Sequence, residues 1–370
     1  MPADQSDSNP LAGSAWCQKF RVIERLSAGA YGFVWLCLEV ATGDKVAIKF
    51  ISRERNKIDK NVEREIINHS MLEHPHIIDF KLCFLTDKYL AIAMEYAGGE
   101  DLLKLVNDRH GLHEDDARWL FQQLMLAVDY MHRMGVVNRD IKLENILLKA
   151  YETHPILKIC DFGYSINENH SLPKTALGTP GYTAPEVLGN VRQDEFYEGR
   201  PADVWSSGVV LYSMLFCRYP FDERKGDPPN ERQHAQHRQQ LFIERIQAGD
   251  IEIPWDRQVS PDCEDLIRRI FTPSPLQRIT IPEILQHPWF LVNLPAELAH
   301  GDWNRQVLQE EIDFKQRAEE IRVTVRSALQ AVTRSPERPT KWPSHCMSDS
   351  LGGYSSMSDL DASEGANYSN

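Results

Sequence analysis

Short apolar and alternating runs in the first quarter of the chain predict β-strands, which are separated by glycines and by the turn-like Thr42-Gly-Asp44. The predicted strands are Val22–Leu26, Val34–Glu39, Val46–Ile51, Ile77–Leu85 and Tyr89–Glu95. Between the third and fourth runs, apolar residues at helical spacing predict a helix over Asn61–Leu72. This part of the chain is therefore expected to form a small lobe rich in strands.

From Asp101 onward the apolar residues follow a helical period. Ala117–Met134 is apolar on most sides, which is typical of a helix buried within a core. Val204–Leu215 and Pro261–Phe271 are further predicted helices, and the polar stretch Asp222–Gln240 indicates a surface loop or the exposed start of a helix. A larger helical lobe is therefore expected to follow the strand-rich one.

The pattern changes twice near the C-terminus. Gln306–Val332 is charged but keeps apolar residues three or four positions apart, which predicts an amphipathic helix. From Ser335 to Asn370, Ser, Pro, Gly and Asp dominate, so an acidic, disordered tail is expected there. Residues 1–18 are also polar and are expected to form a flexible arm.

Together these patterns predict an α+β protein whose main domain spans residues 19–290. The predicted boundaries are 19–95 for the small lobe, 96–290 for the large lobe, 291–334 for a linker and amphipathic helix, and 335–370 for the tail.

Composition narrows the class of protein. The formal net charge of −13 argues against non-specific nucleic-acid binding, which needs a basic surface. The seven cysteines are dispersed without a CxxC pair, as is typical of reduced intracellular thiols. The sequence shows neither a secretory leader nor a run of about 18 apolar residues, and Pro2 excludes N-myristoylation. We therefore expect a soluble protein of the cytoplasm and nucleus.

A segment between the first two predicted strands is a candidate phosphate-binding hairpin. It reads Leu26-Ser-Ala-Gly-Ala-Tyr-Gly-Phe-Val34, and its glycines would offer backbone N–H groups to a phosphate. Ordinary turn glycines at Gly29 and Gly32 would explain the same pattern. A dinucleotide fingerprint fits poorly, because a strand and not a helix follows.

Lys49 ends the apolar strand Val46-Ala-Ile-Lys49, where its ammonium group needs an anionic partner. Nucleotide phosphates would supply one, and Glu65 on the following helix is the candidate that would hold the ammonium in place. An ordinary surface lysine is the alternative interpretation.

The most specific motif is the octet Asn138-Arg-Asp-Ile-Lys-Leu-Glu-Asn145, which is followed after a predicted strand by Asp161-Phe-Gly163. This combination matches the catalytic loop and the metal-binding turn of protein phosphoryl-transfer enzymes. Turn-forming Asp and Asn residues would be the structural alternative, but they do not explain the whole octet.

The chemistry of phosphoryl transfer assigns roles within these two motifs. Charge on the phosphates must be neutralised, and a hydroxyl must be aimed in line with the phosphorus. Asp140 would orient that hydroxyl and receive its proton, and Lys142 would lie near the transferred phosphate. Asn145 and Asp161 would bind Mg²⁺, which prefers oxygen ligands.

Two further segments contain structural candidates. Gly178-Thr-Pro-Gly-Tyr-Thr-Ala-Pro-Glu186 places Thr179 in a loop and ends on Glu186, a carboxylate that is expected to be buried. Arg278 is its expected bidentate partner. Asp203 opens a predicted helix, where it would either cap the first turn or brace the backbone of the catalytic loop.

In this order the motifs resemble the eukaryotic protein kinase family over roughly residues 20–290. The resemblance implies a two-lobed protein kinase fold, with an antiparallel sheet and one main helix in the small lobe. It also implies ATP and Mg²⁺ as cofactors and a hydroxyl of a protein substrate as acceptor. Lys142 and the Thr179 loop are similar to those of the serine/threonine branch.

A narrower resemblance rests on flanking segments. Arg64-Glu-Ile-Ile-Asn-His69, Leu157-Lys-Ile-Cys-Asp-Phe-Gly-Tyr-Ser165, Pro173-Lys-Thr175 and His287-Pro-Trp-Phe-Leu291 are similar to the second subclass of plant and green-algal sucrose-non-fermenting-1-related kinases. This implies a kinase of osmotic, nutrient or hormone stress signalling, with a C-terminal helix that packs on the small lobe and an acidic tail. We expect a monomer whose partners are an upstream kinase and a protein phosphatase.

The family resemblance also implies positions for ATP. The expected walls around the adenine are Leu26, Val34, Ala47 and Leu147, with Met94 at the back of the pocket. The hinge Glu95–Ala97 would bind the adenine edge, and Glu100 would meet the ribose and an arginine of a basophilic substrate. The other expected ATP contacts are Ser27, Ala28, Gly29, Ala30, Tyr31, Gly32, Phe33 and Lys49.

The loop after the metal turn contains candidate phosphorylation sites. Thr175 occupies the position that this subclass phosphorylates, and Ser171 is a second candidate; unmodified loop hydroxyls are the alternative. A phosphate at Thr175 would order the loop against Arg139.

Two positions depart from the family pattern. Ser27 stands where the first loop glycine is usual, and we expect a modest effect on ATP affinity. Asn138 replaces the histidine before Arg139-Asp140, and its amide can still hydrogen-bond the backbone.

Two other functions fit parts of the sequence. A pseudokinase scaffold is the alternative class, although the intact Lys49, Glu65, Asp140, Asn145 and Asp161 argue against it. A related calcium- or AMP-regulated kinase is the alternative for the pathway. No EF-hand sequence follows the main domain, which argues against direct calcium control.

Overall fold

The structure is a computed structural model that describes residues 9–29, 32–53, 58, 60–149, 155–168, 180–190, 197–222, 224, 235–295 and 318–333. Over these residues the chain has the predicted α+β architecture, an antiparallel sheet with one packed helix followed by a mainly helical lobe. None of the helices described is long and apolar enough to cross a membrane.

Five antiparallel strands form the small lobe in the order β1-β2-β3-β5-β4. Their bounds are Phe20–Gly29 for β1, Gly32–Glu39 for β2, Lys45–Ser52 for β3, Phe80–Leu85 for β4 and Tyr89–Glu95 for β5. The register places Lys49 of β3 opposite Val34 of β2 and Ile92 of β5, within the middle of the sheet. β4 starts at Phe80 and not at the predicted Ile77, because Ile77 instead bridges to Ile159 of the large lobe.

Residues 9–18 differ from the flexible arm expected over residues 1–18. A 3-10 turn over Ala15–Gln18 precedes β1, and the Leu11 side chain is fully buried beside the sheet. The ring of Trp16 lies against Phe84, with centroids 4.1 Å apart. One aromatic and one aliphatic side chain anchor this polar segment, because an aromatic ring buries a large apolar area.

Helices build the large lobe around two buried members, α3 and α5. α1, Lys60–Ser70, belongs to the small lobe. The large-lobe helices among the described residues are α2 Leu102–Asp108, α3 Glu114–Arg133, α4 Pro185–Asn190, α5 Gly199–Phe216, α6 Ala235–Ala248, α7 Pro261–Ile270, α8 Ile281–Ile284 and α9 Pro288–Leu291. Most residues of α3 and nearly all of α5 are buried, as their apolar character on most sides predicts. These two helices contact each other within the large lobe.

Two short strand pairs position the motifs that carry chemistry. β6 (Val136–Val137) pairs with β9 (Ile166–Asn167), and β7 (Ile146–Lys149) pairs with β8 (Ile156–Ile159). The segment 138–145 joins β6 to β7, and the turn 161–163 lies between β8 and β9. Both motifs are therefore held by paired strands at each end.

The last helix among the described residues, α10 (Ala318–Thr333), packs against α1 and β4 of the small lobe. Ile321, Val325 and Ala328 form its buried stripe, together with Val62 and Ile66 of α1. Their spacing is the amphipathic period that the sequence predicts. Residues 306–317 of the predicted helix and the predicted tail lie outside the described residues.

Candidate active site

A cavity of about 590 Å³ lies between the small-lobe sheet and the β7–β8 hairpin. Its apolar walls are Leu26, Val34, Ala47, Met94 and Leu147. Ser27, Gly32, Lys49, Glu95, Ala97 and Glu100 also line it, so most of the predicted ATP contacts meet here. A concave, largely apolar pocket with a few charged groups is suited to a nucleotide.

The glycine hairpin closes one side of this cavity. Gly29 pairs with Gly32, and Ala28 pairs with Phe33 across the β1–β2 turn. Gly32 has a φ of 152°, and a Cβ there would overlap the carbonyl oxygen of Phe50, so only glycine fits. Ala30 and Tyr31, at the tip, lie outside the described residues.

Phe33 does not belong to the cavity, contrary to the expected ATP contact. Its ring packs with Phe50 and Tyr89, at centroid distances of 5.5 and 5.2 Å. Successive residues of a strand point to opposite faces of the sheet, and Val34 occupies the cavity face.

Lys49 and Glu65 form an ion pair between β3 and α1, with Nζ and Oε1 2.6 Å apart. Burial by itself would lower the pKa of Lys49, but the carboxylates of Glu65 and Asp161 outweigh it and raise the pKa above its ordinary value. The ammonium is therefore charged at neutral pH and faces the cavity, where a phosphate would find it.

Asp140 is a buried carboxylate between two donors of its own loop. Its Oδ2 lies 2.8 Å from Lys142 Nζ and accepts a hydrogen bond of 2.7 Å from Asn145 Nδ2. Burial raises the pKa of Asp140, while Lys142 and Asn145 oppose that rise. The three side chains therefore form one unit in which Asp140 is the acceptor.

Asp203 braces this loop from α5. It is fully buried, and its carboxylate accepts from the backbone N–H groups of Asn138 at 2.9 Å and Arg139 at 2.8 Å. His132 Nε2 lies 2.8 Å from the same carboxylate. The alternative role as an N-cap is wrong, because α5 begins at Gly199 and its N-cap position is Glu198.

Asn138 ties the loop to the metal turn. Its Nδ2 donates to the backbone oxygen of Asp161 at 2.9 Å, and its Oδ1 accepts from the backbone N–H of Asp140 at 3.0 Å. Arg139 follows with a φ of 66°, and its Nε donates to the backbone oxygen of Tyr164 at 2.7 Å. Asn138 thus makes hydrogen bonds to the backbone of both the catalytic loop and the metal turn.

The donor set suits a divalent cation that is bound jointly by protein and phosphate. Asn145 donates through its amide nitrogen, which leaves its side-chain oxygen as a ligand, and its backbone oxygen accepts from the N–H of Cys160 at 3.0 Å. Asp161 follows Cys160 directly, and its Oδ1 accepts from the N–H of Gly163 at 2.9 Å. The described residues contain no cluster of three or more His, Cys, Asp or Glu side chains for a metal. Two oxygen ligands completed by phosphates match the binding habit of Mg²⁺.

Glu186 and Arg278 form the expected bidentate pair in the large lobe. Arg278 Nη1 and Nη2 lie 2.7 and 2.8 Å from the two carboxylate oxygens of Glu186. The guanidinium also donates to the Pro201 carbonyl oxygen at 2.7 Å and lies over the ring of Trp205. The pair thereby joins α4 to the segment between α7 and α8 and to the start of α5.

Some other residues of the site were not predicted from the sequence. Asp101, Lys104 and Glu144 line the cavity. Glu144 belongs to the octet and could have been noticed there. Asp101 caps α2 by accepting from the N–H of Lys104 at 2.7 Å, a short-range signal that does not reveal its position at the cavity. Ser171, Thr175 and Thr179 lie outside the described residues.

This lobe arrangement and set of charged side chains define a phosphotransferase site, and residues 20–290 match the family described as Protein kinase domain. The chain therefore belongs to the protein kinase family. The family uses ATP with a divalent metal to phosphorylate proteins.

The relatives specify the branch of this family. Serine/threonine-protein kinase SAPK9 of Oryza sativa subsp. japonica is 47% identical over 281 residues, which is 76% of this chain and 74% of that protein. SAPK1 of the same organism is 45% identical over 312 residues, covering 84% and 87%. Serine/threonine-protein kinase SRK2I of Arabidopsis thaliana is 47% identical over 281 residues, covering 76% and 74%. The chain is a serine/threonine protein kinase related to these proteins.

The pair of Glu186 and Arg278 leads to a stability prediction. We expect Arg278→Leu to destabilise the protein by about 3–5 kcal/mol, because the Glu186 carboxylate, whose side chain is only 12% exposed, would lose its bidentate partner. Denaturant unfolding followed by tryptophan fluorescence measures this difference.

Arg268→Leu is the matched control. Arg268 also contacts a glutamate, Glu264, but its side chain is 52% exposed and that of Arg278 is 0% exposed. We expect the control to change stability by no more than about 0.5 kcal/mol. Equal losses in the two variants would contradict the assigned burial of the Glu186 pair.

Proposed function

We propose that this kinase transfers the γ-phosphate of Mg-ATP to serine or threonine hydroxyls that lie near basic residues of protein substrates. The observation that carries the proposal is the Asp140 carboxylate, held by Lys142 and Asn145 at 2.8 and 2.7 Å in the same loop as Glu144, which lines the nucleotide-sized cavity. Asp140 orients the acceptor hydroxyl and takes up its proton as the oxygen attacks the γ-phosphorus, while the bond from that phosphorus to the bridging β-phosphate oxygen breaks and ADP leaves.

The remaining charged residues have separate roles in this proposal. Lys49, fixed by Glu65, binds the α- and β-phosphates, and Lys142 stabilises charge on the transferred phosphoryl group. Asn145 and Asp161 hold Mg²⁺, which when bound neutralises charge on the phosphates. The apolar walls and the hinge residues Glu95–Ala97 orient the adenine.

The preference for basic substrates rests on carboxylates in the lining of the cavity. Glu100, Asp101 and Glu144 line this region and supply three carboxylates. A carboxylate recognises an arginine through paired, charge-assisted hydrogen bonds. Lys104 Nζ lies 3.0 Å from Glu100, a half-exposed pair that a substrate arginine can displace at low cost.

Regulation by phosphorylation is supported by sequence alone. An upstream kinase phosphorylates Thr175, with Ser171 as a secondary site, and a protein phosphatase reverses the modification. The guanidinium of Arg139 is the group toward which the phosphate is drawn. Similarity to the second subclass of sucrose-non-fermenting-1-related kinases supports a role in osmotic, nutrient or hormone stress signalling, as a monomer of the cytoplasm and nucleus.

The proposed function also includes a regulatory role for α10, which holds α1 in place. Its buried stripe packs on Val62 and Ile66, which lie next to Glu65 on α1. Arg53 Nη1 donates to the Thr86 carbonyl oxygen at 2.7 Å, and its Nη2 reaches the Ser327 carbonyl oxygen of α10 at 3.4 Å. A docked α10 thus limits the movement of the helix that carries Glu65.

Asp140→Ala tests the proposed chemistry. We expect phosphate transfer from ATP to an arginine-containing serine peptide to fall by about 10³-fold, because the group that orients and deprotonates the hydroxyl is lost. Transfer of labelled phosphate from ATP measures the rate. The protein should first be incubated with an activating kinase, because an unphosphorylated activation loop could keep the wild type inactive and hide the loss of rate in Asp140→Ala.

Two comparisons complete this assay. Asp256→Ala removes a half-exposed aspartate that pairs with Arg218 on the surface, and we expect it to leave the rate unchanged. A peptide without arginine should react more slowly than its parent. Equal rates for wild type and Asp140→Ala would reject the proposed catalytic role, and equal rates for the two peptides would reject only the basic preference.

The acid limb of the pH–rate profile provides a separate prediction. The ammonium of Lys142 lowers the pKa of Asp140, so Lys142→Met should raise that pKa further above its ordinary value. A larger fraction of Asp140 is then protonated at a given pH, and the acid limb of kcat should move to higher pH. Profiles between about pH 5 and 8, each normalised to its own maximum, measure the shift.

Lys19→Met is the control for this profile, because Lys19 pairs with Glu39 on the surface of the small lobe. Its acid limb should coincide with that of the wild type. A limb that stays in place in Lys142→Met, or moves to lower pH, would show that Asp140 does not set it.

Val325→Asp tests the role of α10. Val325 is fully buried, whereas Val323 on the same helix is 54% exposed, so Val323→Asp is the matched control. A charge at Val325 should detach α10 and expose Cys83, which is buried in the same cluster. We expect faster thiol labelling of Cys83, mapped by mass spectrometry, together with a several-fold loss of kinase activity.

The control should behave like the wild type in both measurements. Rapid labelling of Cys83 without any loss of activity would show that α10 packs on the small lobe but does not regulate the kinase.

A further inference from the structure

A buried side-chain hydrogen bond joins α1 to the segment that follows the metal turn. Asn68 Nδ2 donates to Ser165 Oγ at 3.0 Å, although the two residues are 97 positions apart in sequence. Asn68 is 2% exposed and Ser165 is 3% exposed, so water does not compete effectively for this bond. The N–H of Ser165 donates to the Phe162 carbonyl oxygen at 2.9 Å, which connects the bond to the turn itself.

Asn68 lies on the face of α1 that is directed at the site. Residues three and four positions apart share one face of a helix, and Glu65, Asn68 and His69 have this spacing. His69 stacks on Phe162, with ring centroids 4.8 Å apart, and its Nε2 lies 2.7 Å from the Ile78 carbonyl oxygen. One helical turn therefore presents an ion-pair partner for Lys49, a ring for Phe162 and an amide for Ser165.

The contacts on the two faces of α1 differ in how strictly they define its position. Val62 and Ile66 pack against α10 and β4 through apolar contacts, which are non-directional. The stacked rings of His69 and Phe162 also tolerate sliding, and the hydrogen bond of His69 is made to Ile78 and not to the segment of the metal turn. A hydrogen bond loses strength steeply when its angle or length changes, and a broken bond at this depth leaves a buried polar group without a partner.

We propose that Asn68 and Ser165 are positioning residues that fix the rotation of α1 against the metal turn. Their hydrogen bond holds the arrangement in which Glu65 contacts Lys49, Phe162 stacks on His69 and Asp161 faces the cavity. Without it, α1 and the turn separate more often, and a smaller fraction of molecules has both charged groups in place. This inference rests on the roles proposed above for Lys49, Glu65 and Asp161.

A double-mutant cycle in the full chain tests the proposal. We expect Asn68→Ala and Ser165→Ala each to lower kcat at saturating ATP by about tenfold, the effect of losing one buried hydrogen bond. Both changes remove the same bond, so the double variant should lose little more than either single variant. Ser165→Thr retains the hydroxyl and should recover most of kcat.

Ser70→Ala is the matched control on the same helix. Ser70 Oγ donates to the Ile67 carbonyl oxygen within α1 at 2.8 Å, so its loss should leave kcat unchanged. Thermal unfolding of every variant shows the folded fraction at the assay temperature. Losses of kcat that add in the double variant, or that merely follow the folded fraction, would overturn the positioning role.

Asp140→Ala, measured in parallel, distinguishes a failure of the positioning inference from a failure of the proposed function. If Asp140→Ala is inactive while Asn68→Ala and Ser165→Ala keep full kcat, the positioning inference fails and the proposed function stands. If Asp140→Ala is as active as the wild type, the proposed function fails, and the positioning inference that rests on it fails with it.

Discussion

The hydrogen bonds that the Asp203 carboxylate accepts from the catalytic loop are the interactions on which the site depends. This carboxylate is fully buried in α5, so its charge must be compensated by donors within the protein, and the backbone N–H groups of Asn138 and Arg139 supply two of them. Those bonds support Arg139 in a left-handed conformation that is unfavourable for a residue with a side chain. The loop strain is thus balanced by the helical core, and Asp140 follows in a defined place.

Burial and charge act against each other throughout the site, and the outcome differs between residues. At Lys49 two carboxylates outweigh burial, so the cation is retained. At Asp140 burial outweighs Lys142 and Asn145, so the carboxylate is more easily protonated than an ordinary aspartate. A base whose pKa is raised toward neutrality binds a proton more readily, which suits the acceptance of a hydroxyl proton.

α1 links three parts of the molecule that are distant in sequence. Its outer face packs on α10, Glu65 contacts β3, and Asn68 and His69 contact the segment of the metal turn. An event that displaces this helix therefore changes the ion pair and the turn together. The C-terminal helix, the ion pair of Lys49 and the metal turn therefore all contact a single element.

Local pattern was sufficient for much of this protein. Periodicity alone located the five strands, the buried helices α3 and α5 and the stripe of α10, since burial of one face imposes a repeat on the sequence. Residue type and spacing made Lys49, Asp140, Asn145 and Asp161 candidates, because phosphoryl transfer needs groups that neutralise charge and orient a hydroxyl. The tertiary structure decided that Asp203 braces a loop instead of capping a helix, that Leu11 and Trp16 anchor the N-terminal segment, and that Asn68 meets Ser165. These outcomes depend on which distant surfaces pack together, and a local pattern contains no information about the partner of a buried polar group.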